Sequence, residues 1–284
     1  MNHITDMQQL DLDAILRQRL PHHYKWIPRA LIRMLERIIC QEEMNEMLRV
    51  NAGRTGADFC RGVLAHLGIT YTVAGIENLP PASDGRIIFV CNHPLGGLDG
   101  MMLIDWVESR YGSGVKFIVN DLLMAIKPLS GIFLPINKHG KQSRSASEAI
   151  EQTFAGDKPV IIFPAGLVSR KGADGRIADL EWNKMFISKS IRYNRTVIPL
   201  HFSGHNSAFF YNFAKLREKI GIKLNIEMIR LPKEVFLCRN RKFRITVGQP
   251  IPCNRFQGGH TLQEDARKVK EAVYALETLT NANL

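Results

Sequence analysis

Hydrophobic positions fall into two regimes along the chain. Over residues 10–68 they recur at helical spacing. Leu31, Leu35 and Ile38 repeat on one side, joined by Ile32 and Ile39. Lys25, Arg29, Arg33 and Arg37 recur every four residues beside them, with Trp26 adjacent. Pro28 suits the first turn of that helix, and a further helix is predicted at 57–67, stopped by Gly68. From residue 69 onward, short apolar runs alternate with helical ones. Strands are predicted at 70–75, 86–90, 115–119, 133–136, 159–163, 196–202, 224–229 and 242–247. Helices are predicted at 99–107, 121–126, 143–154, 182–193, 208–220 and 262–279, and 165–179 reads as a long polar loop. The alternation predicts an α/β fold: a central mixed, largely parallel sheet flanked by helices, with an N-terminal helical region at 1–68 and an α/β domain at 69–284.

Composition narrows the class. At 284 residues, 45% apolar and 23% charged, the chain can bury a substantial core and is not disordered. The formal charge of +11 favours polyanionic partners. No nucleic-acid motif is present and the aromatics are not interleaved with the basic residues, so an anionic membrane surface, or phosphate-bearing and acidic partners, is expected rather than nucleic acid. The basic, apolar stripe at 25–39 fits a helix lying in an anionic membrane interface, and equally a helix packed on the main domain with a solvated basic side. The apolar 122–136 region is a second candidate contact. No signal peptide and no transmembrane helix are expected; the nearest approach, Met124 to Ile136, is broken by Lys127, Pro128 and Gly131. The five cysteines are scattered without a C-x-x-C pair, which argues against zinc or disulfides and suits a cytoplasmic protein.

Candidate chemistry collects where strands end. The run Arg86-Ile87-Ile88-Phe89-Val90 stops in Asn92-His93-Pro94; Gly96-Gly97 allows a tight turn, and Asp99 opens the next helix. A His with a carboxylate to orient it is the minimal general base. The apolar run at 131–136 delivers Lys138, His139 and Lys141, cations suited to a phosphate or carboxylate. Ile161-Ile162-Phe163-Pro164-Ala165-Gly166 leads to Ser169, Arg170 and Lys171, and Val197-Ile198-Pro199 leads to His201 and His205, both expected to be structural. Cys91 is weighed as a thiol nucleophile against the role of a small buried strand residue, which is preferred. A hydrolase built on Ser169 or Cys91 lacks the G-x-S-x-G elbow.

These four stretches, in this order, resemble the boxes of the glycerolipid acyltransferase family, over about residues 70–250. The matches are Asn92 to Asp99, Gly131 to Lys138, Phe163 to Arg170, and Val197-Ile198-Pro199. The resemblance implies His93 as general base with Asp99, and Asn92, Gly96, Gly97, Lys138, Gly166, Ser169, Arg170 and Lys171 as substrate-binding residues. Amides near Gly96 or Gly166 are candidates for holding an oxyanion. It implies no bound cofactor or metal, acyl-ACP or acyl-CoA as co-substrate, a lipid acceptor, and a peripheral place on the inner face of the cytoplasmic membrane. The departures are specific. His93 and Asp99 are separated by five residues where the family has four, Asn137 or Lys138 stands for the usual Arg, and Ala165 and Leu167 replace Glu and Thr. That rewriting, with Asp179, Trp182 and Phe186 downstream, is similar to the branch of hemolysin-like proteins and ornithine-lipid or glycine-lipid O-acyltransferases. It implies an acceptor that is an N-(3-hydroxyacyl) amino acid, whose carboxylate suits Lys138, Arg170 or Lys171. The alternatives are a 1-acylglycerol-3-phosphate acyltransferase and, in another class, a membrane-binding protein without catalysis.

Overall fold

The computed structural model describes residues 9–120, 123–124, 126–136 and 144–277. Four helices precede the sheet: α1 (Leu12–Arg19), α2 (Arg29–Ile38), α3 (Gln41–Val50) and α4 (Gly56–His66). Residues 10–68 are thus helical with breaks, one of them at Cys40 in the left-handed region. Pro28 stands just before α2 rather than inside its first turn. Only Ile32 of α2 is buried, whereas Phe59, Cys60, Val63 and Leu64 of α4 join the main core.

The strands that follow are β1 (Thr70–Ala74), β2 (Ile87–Cys91), β3 (Lys116–Asn120), β4 (Phe133–Ile136), β5 (Val160–Ile162), β8 (Thr196–Phe202) and β9 (Lys242–Val247). They form one sheet in the order β1-β9-β8-β2-β5-β3-β4, parallel except at β8–β9. The expected α/β class, with its mixed and largely parallel sheet, is what the chain adopts. All five residues of β2 are buried, as a central parallel strand covered on both faces requires. Its side chains alternate between two cores. Ile87, Phe89 and Cys91 meet α4 and α5 (Leu98–Tyr111); Ile88 and Val90 meet the side of α6 (Arg144–Ala155), α7 (Met185–Tyr193) and α10 (Leu262–Ala275).

Two expectations fail. The predicted loop at 165–179 carries a small antiparallel hairpin, β6 (Arg170–Lys171) with β7 (Ile177–Ala178). The predicted strand at 224–229 is a 3-10 turn, Ile226–Arg230, running into α9 (Leu231–Leu237) after α8 (Ala208–Lys219). The alternation there misleads because burial is inverted. Leu224 and Ile229 are exposed, while Glu227 is fully buried between Arg170 and Arg217. Pro232 then fits the opening turn of α9. The helix expected at 121–126 lies partly outside the described residues.

Candidate active site

β2 points its C-terminal end between those of β8 and β5, and the chain leaves the sheet there at Asn92. The Asn92 amide donates to the Phe202 carbonyl at 2.9 Å and accepts from the Phe202 N–H at 2.7 Å. Both of its functions are occupied, so Asn92 staples β2 to β8; a substrate-binding role is corrected to a structural one. Cys91 is fully buried and its S–H donates to Asn92. Burial, then the charges of Asp99 and Asp179, push the thiol well above its ordinary value, so no thiolate nucleophile forms.

His93 comes next. Its ring lies flat on Phe163, with centroids 4.0 Å apart and planes 18° apart. Nδ1 meets Asp99 Oδ2 at 2.9 Å. Asp99 sits in the first turn of α5, fully buried, and accepts from the Leu95, Gly96 and Gly100 N–H groups at 2.9, 3.3 and 2.9 Å. Burial works against its charge. His93 and the amides outweigh burial and hold the carboxyl below the ordinary carboxylate value. An ionised Asp99 takes the Nδ1–H, which leaves the Nε2 lone pair available. Nε2 has no protein partner among the described residues, and the side chain is 14% exposed.

The extra residue between His93 and Asp99 is absorbed at Gly96, whose φ is +83°. A Cβ there would lie 2.8 Å from both Leu231 of α9 and Val168, so only glycine fits. Gly97 stands directly before α5, its α-carbon facing Val235 of α9. Neither expected oxyanion amide is free: Gly96 donates to Asp99, and Gly166 donates to the Phe163 carbonyl at 2.9 Å.

The backbone of His93 is clamped from a distant stretch. Its N–H donates to Asp179 Oδ1 at 3.1 Å, and its carbonyl accepts from the Ser169 N–H at 2.8 Å. Ser169 Oγ donates to the same Asp179 oxygen at 2.6 Å, and Trp182 Nε1 donates to the other at 2.9 Å. Burial pushes the Asp179 carboxyl above its ordinary value, against these three donors. Ser169 is therefore a positioning residue, buried and neither a nucleophile nor a free ligand for substrate. Asp179 is the residue that sequence reasoning missed. It lies 86 positions from His93, and the sequence singles it out only beside Trp182 and Phe186 as a mark of the branch.

Arg170 is also corrected. Its guanidinium donates to Glu227 at 2.8 Å and to the Val168 carbonyl at 2.9 Å, and Glu227 and Glu218 together offset the charges of Arg170 and Arg217. Lys171 follows it, half-buried on β6. Lys138, His139 and Lys141 lie outside the described residues. β4, which precedes them in the chain, is at the sheet edge, three strand spacings or about 14 Å from β2.

Comparison with known proteins fits this geometry to a family. A family model described as acyltransferase matches residues 14–283. A lyso-glycine lipid O-acyltransferase of Bacteroides thetaiotaomicron is 43% identical over 267 residues, covering 94% of this chain and 97% of that one. The chain belongs to the acyltransferase family. A second lyso-glycine lipid O-acyltransferase, from Phocaeicola vulgatus, is 42% identical over 94% of this acyltransferase and 95% of its own length. Among solved structures, the 1-acyl-sn-glycerophosphate acyltransferase PlsC of Thermotoga maritima covers 94% of the chain and 87% of its own, at 18% identity and a TM-score of 0.49. The protein is an enzyme of acyl transfer. Among its described residues no helix is long and apolar enough to cross a membrane, and no group of three His, Cys, Asp or Glu side chains is placed to hold a metal ion.

Proposed function

We propose that this acyltransferase esterifies the hydroxyl of a lyso-glycine lipid, with His93 as general base. The observation that carries the reading is the His93–Asp99 contact of 2.9 Å, with Nε2 left open above a ring-stacked, doubly clamped loop. Nε2 takes the acceptor's hydroxyl proton, and Asp99 stabilises the imidazolium. The acceptor oxygen attacks the thioester carbonyl, the C–S bond breaks, and the imidazolium returns the proton to the departing sulfur. An acyl-carrier protein or coenzyme A thioester meets this balance equally, and no metal or bound cofactor enters it. The two relatives' names and the rewritten Phe163-to-Arg170 stretch support an amino-acid acceptor over a glycerol phosphate. With Arg170 paired to Glu227, Lys171 is the cation of that stretch we assign to the acceptor carboxylate.

The acceptor is a lipid, so the enzyme works at a membrane. Exposed Trp26, Leu31 and Met34 beside Arg29, Arg33 and Arg37 make α2 and its approach the docking edge on an anionic surface, the inner face of the cytoplasmic membrane. The test is acyl transfer from a labelled thioester by purified protein. Lyso-glycine lipid is expected to be acylated, lysophosphatidate poorly or not at all. His93→Ala is expected to lower turnover about 10²–10⁴-fold while the fold persists. Equal turnover by His93→Ala and wild type would remove the general base; preference for lysophosphatidate would return the acceptor to the glycerolipid class.

A further inference from the structure

A cavity also lies beside α2. α2 and the start of α9 line a cleft of about 450 Å³ with Ala30, Arg33, Met34, Arg37, Ile38, Arg230 and Lys233. Four of its seven lining residues are cations and none is acidic. Among the described residues none of the four forms an ion pair, and the buried Nε of Arg230 has no hydrogen-bond partner. Like charges gathered without a counter-charge repel, and an anion in the cleft offsets that cost.

The rim is apolar. The Arg230 guanidinium lies 4.1 Å from the ring centre of Phe209, which is 54% exposed. Phe209 begins a stripe on α8, with Phe213, Leu216 and Ile220 at helical spacing, and Leu224 beyond it is 75% exposed. Lys219 and Lys223 are exposed in the same stretch. Trp26, in the turn that leads into α2, is 76% exposed.

We propose that this cleft is a headgroup site: it takes the phosphate of an anionic phospholipid of the bilayer, with the α8 stripe and Trp26 entering the acyl layer. A soluble phosphate has no use for an exposed apolar rim, whereas a lipid-borne one brings the acyl layer that covers it. The site rests on the membrane docking proposed above and is independent of acyl transfer. It also borders the chemistry: between Arg230 and Lys233 stands Leu231, and with Val235 it packs beside Gly96 and Gly97 of the His93 loop.

Vesicle flotation tests it, using phosphatidylcholine vesicles with and without about one-fifth phosphatidylglycerol. Wild type is expected to float with the anionic vesicles only. Arg230→Gln/Lys233→Gln is expected to lower its partition coefficient about 30-fold, since each cation near an anionic surface is worth about fivefold. Arg86→Gln/Lys158→Gln, the same charge change at the opposite end of the sheet, is expected to lower it less than twofold. Leu216→Ser/Ile220→Ser, both exposed on α8, is expected to lower it as well. Equal losses in the two charge pairs, or loss only with Trp26→Ala, would leave docking in place and overturn the cleft. Saturable binding of inorganic phosphate or coenzyme A to vesicle-free protein, abolished by Arg230→Gln/Lys233→Gln, would overturn it by giving the cleft a soluble ligand. No flotation of wild type would remove docking and cleft together, and acyl transfer measured in detergent would be untouched.

Discussion

The two ends of the central strands use one device to opposite effect. At the N-terminal end Arg195, just before β8, is fully buried. It donates five hydrogen bonds, to the carbonyls of Ile87, Thr153, Phe154, Gly156 and Lys158, at 2.7–3.2 Å. Three of these carbonyls lie at the C-terminal end of α6, where a cation also complements the helix dipole. Burial lowers its pKa to about 10, so it stays charged at neutral pH. At the C-terminal end the buried carboxyl groups are Asp99 and Asp179, and they accept where Arg195 donates. Every Arg195 donor group is saturated by backbone, which makes a lock. At the other end the chain of contacts terminates in one imidazole nitrogen without a protein partner among the described residues, which makes a site. A buried charge saturated by protein groups stabilises; the same construction left one bond short has a proton to exchange.

Breaking each end separately sharpens that contrast. Asp99→Asn keeps the size of the side chain but no longer fixes the Nδ1–H tautomer. Turnover is expected to fall by about 10³–10⁴-fold, with some loss of thermal stability as well, because the amide NH₂ must face a backbone N–H at one end or the other. Single-turnover acyl transfer on the folded variant checks it, and a loss below tenfold would mean that His93 needs no orienting carboxylate. Arg195→Met is expected to act the other way. Five buried carbonyls lose their donor, so stability is expected to fall by about 3–5 kcal/mol in urea unfolding, with turnover per folded molecule retained.

His201 tests whether the catalytic end also carries pH-dependent stability. It is buried near the end of β8, edge-on to Tyr274, and burial alone lowers its pKa to about 4. The unfolded chain takes up a proton near pH 6.5 and the folded chain does not until about pH 4. The contribution is therefore full above pH 6.5 and is lost as the pH falls toward 4, by about 3 kcal/mol. His201→Gln is expected to remove that slope while leaving the pH 8 stability close to wild type. Urea midpoints at several pH values decide, and an unchanged slope would place the titration elsewhere.

The sequence carried the parts of this contrast that are local. The apolar run ending at Asn92 announces a buried strand, and His93, the glycine pair and Asp99 lie within one turn of it. The His93–Asp99 contact and the α/β class were legible for that reason. The clamps were not, because they join residues far apart in the chain: Arg195 to Ile87 over 108 positions, His93 to Asp179 over 86. Arg170 and Ser169 looked like substrate ligands because their partners, Glu227 and Asp179, are adjacent only in the fold. Glu227 also explains why 224–229 read as a strand. Period-2 alternation records which positions are apolar, not which are buried, and a charge held inside by two arginines reverses the face.

Asp179→Asn probes the subtlest part of the catalytic end. One Asp179 oxygen accepts from the His93 N–H and the Ser169 hydroxyl, the other from the Trp182 indole. An amide offers one acceptor and one donor, so it must turn its NH₂ toward either the indole N–H or the His93 N–H. Either choice sets donor against donor and shifts the His93 backbone by a fraction of an ångström. Misplacement of that size costs about 10–100-fold. The loss is expected in kcat with the acceptor KM little changed, because Asp179 positions the base and does not touch the acceptor. Combined with Asp99→Asn, the loss is expected to be well below the product of the single losses, since both changes act through the same imidazole. A fully multiplicative double variant would mean that Asp179 acts on something other than His93, and the clamp would then belong to the stabilising end of the comparison.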